Sequence, residues 1–360
     1  MQALIHAIST AVPPHVLNQS DVVEEARALF SGRYSYFDRL SRAFETAGID
    51  RRHSVVPIDW FRTPHGWAER NTAYLDGARA LFRDAATQAL NEAGWDADSV
   101  DTVITVSTTG IATPSLEAQV LTEMGFRDDI LRLPVFGLGC AGGVSGLIIA
   151  ARQAQAAPGS RVLMVVVEAC SVSFRMDRLQ KADIIAAVLF GDGAAAVCLS
   201  TVLPATGPVV ECGTSFQRTF PDTLAIMGWD VDDEGLGVVF DRSIPDFVNA
   251  EFAGVTARAL KSAELHHDDI DKFVCHPGGA KVVEAIENTL KLPQGHLAEE
   301  REVLRRYGNM SAPTVLFVLK EVLEAGRMGQ LMTCALGPGF TAAFMPLHVH
   351  DVEAPRMAAE

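Results

Sequence analysis

The chain has 360 residues, of which 48% are hydrophobic and 21% are charged, and its formal net charge at pH 7 is -15. This composition is typical of a folded protein with one large or two medium-sized domains, and the acidic balance disfavours binding to nucleic acid. No apolar run reaches the roughly 20 residues that span a bilayer, and the N-terminus lacks the basic and apolar segments of a signal peptide. We therefore expect a cytoplasmic protein without a membrane span.

Helical patterns come first along the chain, and strands then alternate with helices. The first hundred residues are predicted to be mainly helical, with an amphipathic stretch over 70–94 that ends at a glycine. A helix is predicted to begin just after Cys140, and strands are predicted at 101–107, 161–169 and 193–200. Such alternation is typical of an α/β protein built in layers.

The same kind of alternation starts again at about residue 205. Its segments are a strand, turn and helix at 272–291, a turn that opens a helix at 307–326, and a Gly-Pro turn between two strands at 331–347. Each half therefore places a turn-to-helix junction after a strand. We divide the chain into residues 1–204, which carry Cys140, and residues 205–360, which carry His276 and Asn309.

Cys140 is one of six cysteines, and the absence of a CxxC pair among them disfavours a zinc site or a disulfide scaffold. It lies in "GCAGG", where an apolar helix is predicted to start. The positive end of a helix lowers the pKa of a thiol, and Gly142 and Gly143 would let a substrate and backbone N–H groups approach closely. The residue is a candidate nucleophile, and the alternative is a buried structural cysteine.

A nucleophilic cysteine needs a base and donors for the charge that develops on a carbonyl oxygen. His276 ends an apolar strand and precedes Pro-Gly-Gly, a position at the carboxyl edge of a sheet where α/β proteins bind ligands. Asn309 lies in "YGNMSAP", where its amide could donate to the same oxygen. The alternatives are a core histidine and a helix N-cap.

Six motifs, in chain order, resemble those of the type III polyketide synthases, the relatives of chalcone and stilbene synthases within the thiolase superfamily. They are "VSTTGIATPS" (106–115), "GCAGG" (139–143), "LFGDGAAAV" (189–197), "HPGGAK" (276–281), "YGNMSAPTVLFVL" (307–319) and "LGPGF" (336–340). The resemblance covers nearly the whole chain. It implies a thiolase-like five-layered αβαβα fold built from two similar halves, a homodimer, and a Cys-His-Asn site.

The resemblance also implies the chemistry. Cys140 would take a starter acyl group from coenzyme A, and His276 would keep that cysteine as thiolate. With Asn309, His276 would stabilise the enolate that forms when malonyl-CoA loses CO2. The enolate attacks the acyl thioester, and repeated extensions give a chain that cyclises. No metal, flavin or carrier protein is expected, and the partners are acyl-CoA and malonyl-CoA.

Other positions are carried over from the family to the cavity. Phe190 matches an aromatic gatekeeper, and the second gatekeeper falls near Val238, with Phe240 as a substitute. Three further cavity positions differ from plant members, namely Cys170, Ser173 and Trp229, and two belong to shared motifs, namely Gly142 and Gly339. Thr113 stands in place of a methionine that plant enzymes insert into the cavity of the partner subunit.

Two further sets complete the carried-over site. Arg39 and Arg42 match basic residues that bind coenzyme A, while the family's third basic position is Thr46. Thr108, Glu168 and Ser311 match a trio that is thought, in stilbene-forming members, to activate water for thioester cleavage. Glu168 ends a very apolar strand, so we expect a buried carboxyl group with a raised pKa.

Four functions compete. The leading one is an alkylpyrone or alkylresorcinol synthase with a medium-chain or long-chain fatty acyl starter, and the second uses malonyl-CoA alone to make phloroglucinol or tetrahydroxynaphthalene. They differ in whether an apolar tunnel leaves the cavity. The third, a ketoacyl-carrier-protein synthase of fatty acid initiation, usually carries HQAN and NTSAAS instead of "HPGG" and "GNMSAP". The fourth is a binder without catalysis, which would have no reason to keep the three candidate residues together.

Overall fold

A computed structural model describes residues 1–30, 32, 44–178, 180–241 and 243–351. Its strands are β1 (Leu4–Ala11), β2 (His15–Asn18), β3 (Arg51–Ser54), β4 (Thr102–Val106), β5 (Leu131–Val135), β6 (Val162–Ala169), β7 (Asp192–Ser200), β8 (Val209–Cys212), β9 (Phe216–Thr219), β10 (Met227–Asp232), β11 (Gly235–Phe240), β12 (Lys272–Cys275), β13 (Gly329–Gly337) and β14 (Thr341–His350). Its α-helices are α1 (Gln19–Phe30), α2 (Trp67–Ala93), α3 (Leu116–Val120), α4 (Gly142–Ala156), α5 (Lys181–Leu189), α6 (Ile244–Ser262), α7 (Ala280–Leu290), α8 (Ala298–Tyr307) and α9 (Thr314–Glu324).

One mixed sheet runs through the molecule and repeats a single topology. Its strand order is β12-β13-β14-β8-β1-β7-β6-β4-β5, with β9 paired to β14. In the first half β4 is parallel to β6, and β6 is antiparallel to β7. In the second half β12 is parallel to β13, and β13 is antiparallel to β14. The two halves meet where β1 pairs with β8.

Helices cover both faces of each half, which gives five layers. Helix α2 packs on the outer face of the first half, α6 and α7 pack on the outer face of the second, and α4 and α9 lie between the two halves. Strand β6 is buried on both faces, because its alternate residues face different layers: Met164 faces α4 and Val165 faces α2. The predicted αβαβα fold is confirmed.

The N-terminal segment corrects one expectation. The first hundred residues are not mainly helical from the start, because Leu4–Ala11 forms strand β1 in the middle of the sheet, between β7 and β8. Its Ile5 and Ile8 side chains join the central core. The prediction for α2 is confirmed, and that helix ends at Gly94, whose φ of 66° is the left-handed cap.

Within the described ranges, the helices are all too short or too polar to cross a bilayer.

Candidate active site

Cys140 lies in a tight turn, Gly139–Ala141, between β5 and the start of α4. The side chain is 5% exposed. The turn packs against residues 337–338, since a Cβ on Gly139 would meet the Pro338 ring at 2.6 Å and a Cβ on Gly337 would meet the Ala141 nitrogen at 2.5 Å. The "LGPGF" motif therefore supports the candidate nucleophile from the other half of the molecule.

His276 and Asn309 lie with Cys140 around one cavity, which encloses about 420 Å3. His276 directly follows β12, and its backbone N–H donates to the Cys334 carbonyl over 2.8 Å. Asn309 follows α8. Its amide Nδ2 donates to the Gly278 carbonyl over 3.1 Å, and its Oδ1 accepts the Ser311 N–H over 2.8 Å. These bonds orient the Asn309 amide toward the loop after His276, and they are not those of an N-cap of α9.

Burial controls the protonation of both titratable residues. It raises the pKa of Cys140 to about 11, although a hydrogen bond from the thiol to the Ser311 hydroxyl, 3.5 Å away, acts in the opposite direction. Burial lowers the pKa of His276 to about 4. The expected lowering of the Cys140 pKa by the helix end is therefore wrong in direction, because the cost of a charge inside an apolar enclosure is the larger effect. Burial therefore disfavours the charged forms of both groups, which runs against the expectation that His276 keeps Cys140 as a thiolate.

Both ring nitrogens of His276 are buried and have no hydrogen-bond partner among the described residues. A buried imidazole normally has its nitrogens satisfied. Because this ring lines the cavity beside Cys140 and Asn309, its nitrogens are available to a bound molecule. A neutral imidazole can accept a proton from a thiol or, in its N–H form, donate to an oxygen.

Gly142 and Gly143 do not make room for substrate, which corrects the sequence interpretation. A Cβ on Gly142 would lie 2.9 Å from a Val106 methyl carbon, and one on Gly143 would lie 2.3 Å from the Ala312 carbonyl oxygen. The space is filled by β4 and by the turn before α9. These glycines let two central helices pack closely behind the Cys140 turn.

A second cavity, of about 450 Å3, adjoins the first and shares Cys140, Met227 and Phe240 with it. Phe190 lies in its wall, and the Phe190 and Phe240 rings pack edge to face with centroids 6.1 Å apart. Val238 lies opposite Trp229 in the β10–β11 register, and both line this cavity. The predicted gate residues are thus adjacent, and Phe240 rather than Val238 contacts Phe190 through its ring.

A third cavity, of about 780 Å3, continues past the gate. It shares Cys170, Phe190, Trp229 and Val238 with the second cavity. Ser173 lines it, and most of the remaining wall is apolar, formed by Leu17, Val22, Ala26, Leu29, Phe30, Ile58, Phe61, Phe174, Ala186 and Ala187. The three cavities thus lie side by side between Cys140 and helix α1, with shared residues as the walls between them.

The trio of Thr108, Glu168 and Ser311 surrounds the Cys140 turn. Burial raises the pKa of Glu168 to about 7, as expected in direction. Its Oε2 accepts the Thr108 N–H over 3.0 Å and the Thr109 hydroxyl over 2.8 Å. Thr109 was not singled out from the sequence, since nothing local distinguishes it from Thr108. The Thr108 hydroxyl accepts the Gly139 N–H over 3.2 Å, so the trio contacts the turn from two sides.

Other predicted residues lie outside these cavity walls. Thr113, predicted at a position that faces the partner subunit, is exposed and lines none of the three cavities. Gly339 adopts a φ of 117°, which favours glycine, and it precedes Phe340 in the cavity wall. Arg39 and Arg42 lie outside the described residues. Apolar residues that line the first cavity and were not predicted include Phe252, Val282 and Ile286, whose helical pattern is that of ordinary core.

Sequence models of the chalcone and stilbene synthases match this chain over both of their domains, the N-terminal one at residues 1–202 and the C-terminal one at residues 211–349. The chain belongs to the chalcone and stilbene synthase family. It is a type III polyketide synthase, an enzyme that transfers acyl groups from coenzyme A thioesters. The family resemblance found in the sequence is confirmed.

Relatives of this synthase come from several bacteria. A 1,3,6,8-tetrahydroxynaphthalene synthase of Streptomyces peucetius is 36% identical over 352 residues, which are 95% of this chain and 92% of that protein. An α-pyrone-synthesis polyketide synthase-like protein of Mycobacterium tuberculosis is 28% identical over 95% of this chain and 90% of its own length. The crystal structure of 1,3,6,8-tetrahydroxynaphthalene synthase from Streptomyces coelicolor superposes with a TM-score of 0.90 at 27% identity, covering 97% of this chain and 99% of that one.

Proposed function

We propose that this synthase extends a starter acyl group on Cys140 by decarboxylative condensation with malonyl-CoA, and that His276 and Asn309 are its other catalytic residues. The support is their position around one cavity with free hydrogen-bonding capacity. The His276 nitrogens are unpaired in the described part of the chain, and Asn309 Nδ2 uses one hydrogen on Gly278 and keeps the other.

Loading begins with neutral groups. The Cys140 thiol attacks the acyl-CoA carbonyl while its proton passes to His276, and coenzyme A thiolate leaves and takes the proton back. In the next step malonyl-CoA loses CO2, and the electron pair of the broken C–C bond becomes an enolate. The His276 N–H and the Asn309 Nδ2 donate to the enolate oxygen without protonating its carbon, because both are neutral donors. The enolate carbon attacks the carbonyl of the Cys140 thioester, the C–S bond breaks, and Cys140 leaves as a thiolate that takes up a proton from solvent.

The starter is a medium-chain or long-chain fatty acyl group, and the products are alkylpyrones or alkylresorcinols. The observation that carries this proposal is the apolar cavity of about 780 Å3 beyond the gate. Burial of each CH2 group of an acyl chain in such a space contributes about 0.8 kcal/mol. The polar residues of this wall, Glu25, Arg52, Ser171, Ser173 and Asp183, are a minority of its lining.

The alternative is a synthase that uses malonyl-CoA alone. The observation that favours it is the 36% identity to a 1,3,6,8-tetrahydroxynaphthalene synthase. In that case the apolar cavity would take no part in the reaction. Changes in its walls would then leave the products unaltered.

Incubation with malonyl-CoA and acyl-CoA starters from acetyl to stearoyl, followed by mass spectrometry, tests both functions. Long-chain pyrones or resorcinols are expected from the wild type and none from Cys140→Ala. Ala187→Phe narrows the apolar cavity and should shift the preferred starter to a shorter chain, while Ala253→Phe, on the exposed side of α6, should not. Product from malonyl-CoA alone, unaffected by starters and by Ala187→Phe, would establish the alternative.

We also propose that the synthase is a homodimer joined along β5. Strand β5 ends the sheet, and no other strand of the described chain pairs with its free edge. Leu131 on this strand and Phe136 just after it are 47% and 54% exposed. An edge strand with exposed apolar residues is a template for pairing with another chain, and a second copy would cover it.

A further inference from the structure

Strands β10 and β11 form a hairpin that separates the cavities from one another. The hairpin pairs with no other strand of the described chain. Its residues line the cavity at Cys140, the gate cavity and the apolar cavity, through Met227, Trp229, Val238 and Phe240. An isolated two-stranded hairpin is only marginally stable. Its position relative to Phe190 must therefore be set by contacts from outside the hairpin.

The two faces of the hairpin have different chemistry. Trp229 lies opposite Val238 and Met227 lies opposite Phe240, so these four side chains share one face. Asp230 and Asp232 alternate with them and point to the other face, opposite Gly237 and Gly235. The gate residues are thus on an apolar face, while the reverse face carries two carboxylates, three glycines and Val239.

Four residues hold the reverse face and the tip, and we call Trp67, Arg70, Arg175 and Arg178 the hairpin clamp. Arg175 donates from Nη1 to Asp232 Oδ1 over 2.7 Å, and Arg178 donates from Nη1 to Asp230 Oδ2 over 3.1 Å. Arg70 donates to the carbonyl of Glu234 at the tip. The glycines permit this approach, since a Cβ on Gly235 would overlap the Trp67 ring at 2.2 Å and one on Gly237 would overlap Arg178 Nη1 at 2.0 Å.

Arg175 is the central member of the clamp. Its side chain is 3% exposed, and it also donates to Asp177 over 2.5 Å and 3.1 Å through Nη2 and Nε. The Arg175 guanidinium lowers the pKa of both Asp177 and Asp232. If the hairpin tip left Arg175, the guanidinium would keep its pair with Asp177 but lose the 2.7 Å ion pair with Asp232, which costs free energy because the Arg175 side chain is buried.

We propose that Arg175 is a positioning residue that holds the β10–β11 hairpin against Phe190, and that it thereby determines which starter acyl groups pass the gate. The inference rests on the proposed function. Without the clamp, the hairpin keeps the hydrogen bond from Trp229 Nε1 to the Thr108 carbonyl, 2.8 Å long, but its reverse face and tip are no longer held. The opening beside Val238 and Phe240 then widens, and the enzyme loses discrimination by chain length. Cys140 is in another part of the wall, so its own reactivity is unchanged.

The test compares Arg175→Gln and Asp232→Asn with wild type, and Arg79→Gln serves as a matched control because its pair with Asp76 is exposed and lies farther along α2. The ratio of kcat/KM between the best starter and one six carbons shorter should fall at least fivefold in both clamp variants. The fall should come from a change in the KM values, with little change in kcat. It should stay within twofold in the control. Arg175→Lys should restore part of the ratio. The double variant Arg175→Gln/Asp232→Asn should have the same ratio as Arg175→Gln alone, because both changes break the same contact.

Two further measurements separate failure of this inference from failure of the proposed function. Mass spectrometry of the intact wild-type protein must show acyl transfer to Cys140. Absence of the acylated protein refutes the proposed function. Cleavage after Glu234 by a glutamate-specific protease should be at least fivefold faster in Arg175→Gln, with a thermal melt that still shows a folded protein. An unchanged starter ratio in the folded variant, or in the milder Asp232→Asn, overturns the role assigned to Arg175.

Discussion

Burial outweighs local sequence context at the titratable residues of this site. Cys140 lies in the turn just before a helix, yet its pKa is raised to about 11, and His276 has its pKa lowered to about 4. Glu168 follows the same rule, because its carboxyl group is fully enclosed and its pKa rises to about 7. Burial thus disfavours the charged form of each group, and it moves the titration of Glu168 to near neutral pH.

Glu168 makes the stability of the fold depend on pH. Its pKa rises from 4.5 to about 7 on folding, so the folded protein holds the proton more tightly than the unfolded chain. The stability that this proton contributes is complete below about pH 4.5 and is lost as the pH rises through about 7. Glu168→Gln removes the dependence. The free energy of unfolding of the variant minus that of wild type should therefore rise by roughly 2 to 3 kcal/mol from pH 5 to pH 8.

Urea titrations of both proteins at the two pH values measure this difference. Glu24→Gln, at an exposed position on α1, is the control. Its free energy of unfolding should change between the two pH values by the same amount as that of wild type. A difference between Glu168→Gln and wild type that does not change with pH would show that Glu168 ionises normally in the folded protein.

The two central helices determine where the Cys140 turn lies. Helix α4 starts two residues after Cys140, at Gly142, and α9 starts shortly after Asn309, at Thr314. Their close approach depends on Gly143, because the Ala312 carbonyl oxygen occupies the place of a side chain. The packing of α4 against the turn before α9 therefore couples the nucleophile to the Asn309 loop.

Gly143→Ala should test this coupling. The added methyl group would overlap backbone atoms of the turn before α9, and overpacking of this kind costs about 1 to 3 kcal/mol. We expect a lower midpoint of thermal unfolding together with reduced acyl transfer to Cys140. Gly254→Ala is the matched control, since it lies in helix α6 with no atom within 4 Å of the new Cβ, and alanine there should stabilise the helix by up to about 1 kcal/mol. Equal effects of the two substitutions would contradict the packing argument.

The whole molecule repeats one αβ unit, and the proposed catalytic residues meet between its halves. Cys140 follows β5 of the first half, and His276 follows β12 of the second. These two strands are also the two ends of the sheet. The free edge of β5 is thus close in sequence to the nucleophile, and an interface there would influence the Cys140 turn directly.

Phe136→Asp should dissociate the proposed homodimer. A charge on the exposed apolar surface beside β5 would have to be buried without a partner when two copies pair. Light scattering after size-exclusion chromatography is expected to give a dimer mass for wild type and a monomer mass for the variant, whose acyl transfer should also fall. Leu203→Asp, a similarly exposed position beyond β7, should remain dimeric. A monomeric wild type would refute the dimer outright.

Family, layering and the identity of the three candidate catalytic residues could all be predicted from the sequence. Turn glycines, apolar runs and motif order are local patterns, and "GCAGG", "HPGGAK" and "YGNMSAP" each occur at a strand-to-turn or turn-to-helix junction as expected. Strand β1 was missed because its short run of small and β-branched residues is recognisable as a strand only beside β7 and β8.

Tertiary structure alone decided the protonation of Cys140 and His276, the packing role of Gly142 and Gly143, the contact of Phe240 with Phe190, and the clamp on the hairpin. In each case the controlling groups are far apart in the chain: Ala312 excludes a side chain at Gly143, and Arg175 binds Asp232. A pKa depends on how completely the surrounding layers exclude water, and a cavity is the space that those layers leave. Neither quantity belongs to any single segment of the sequence.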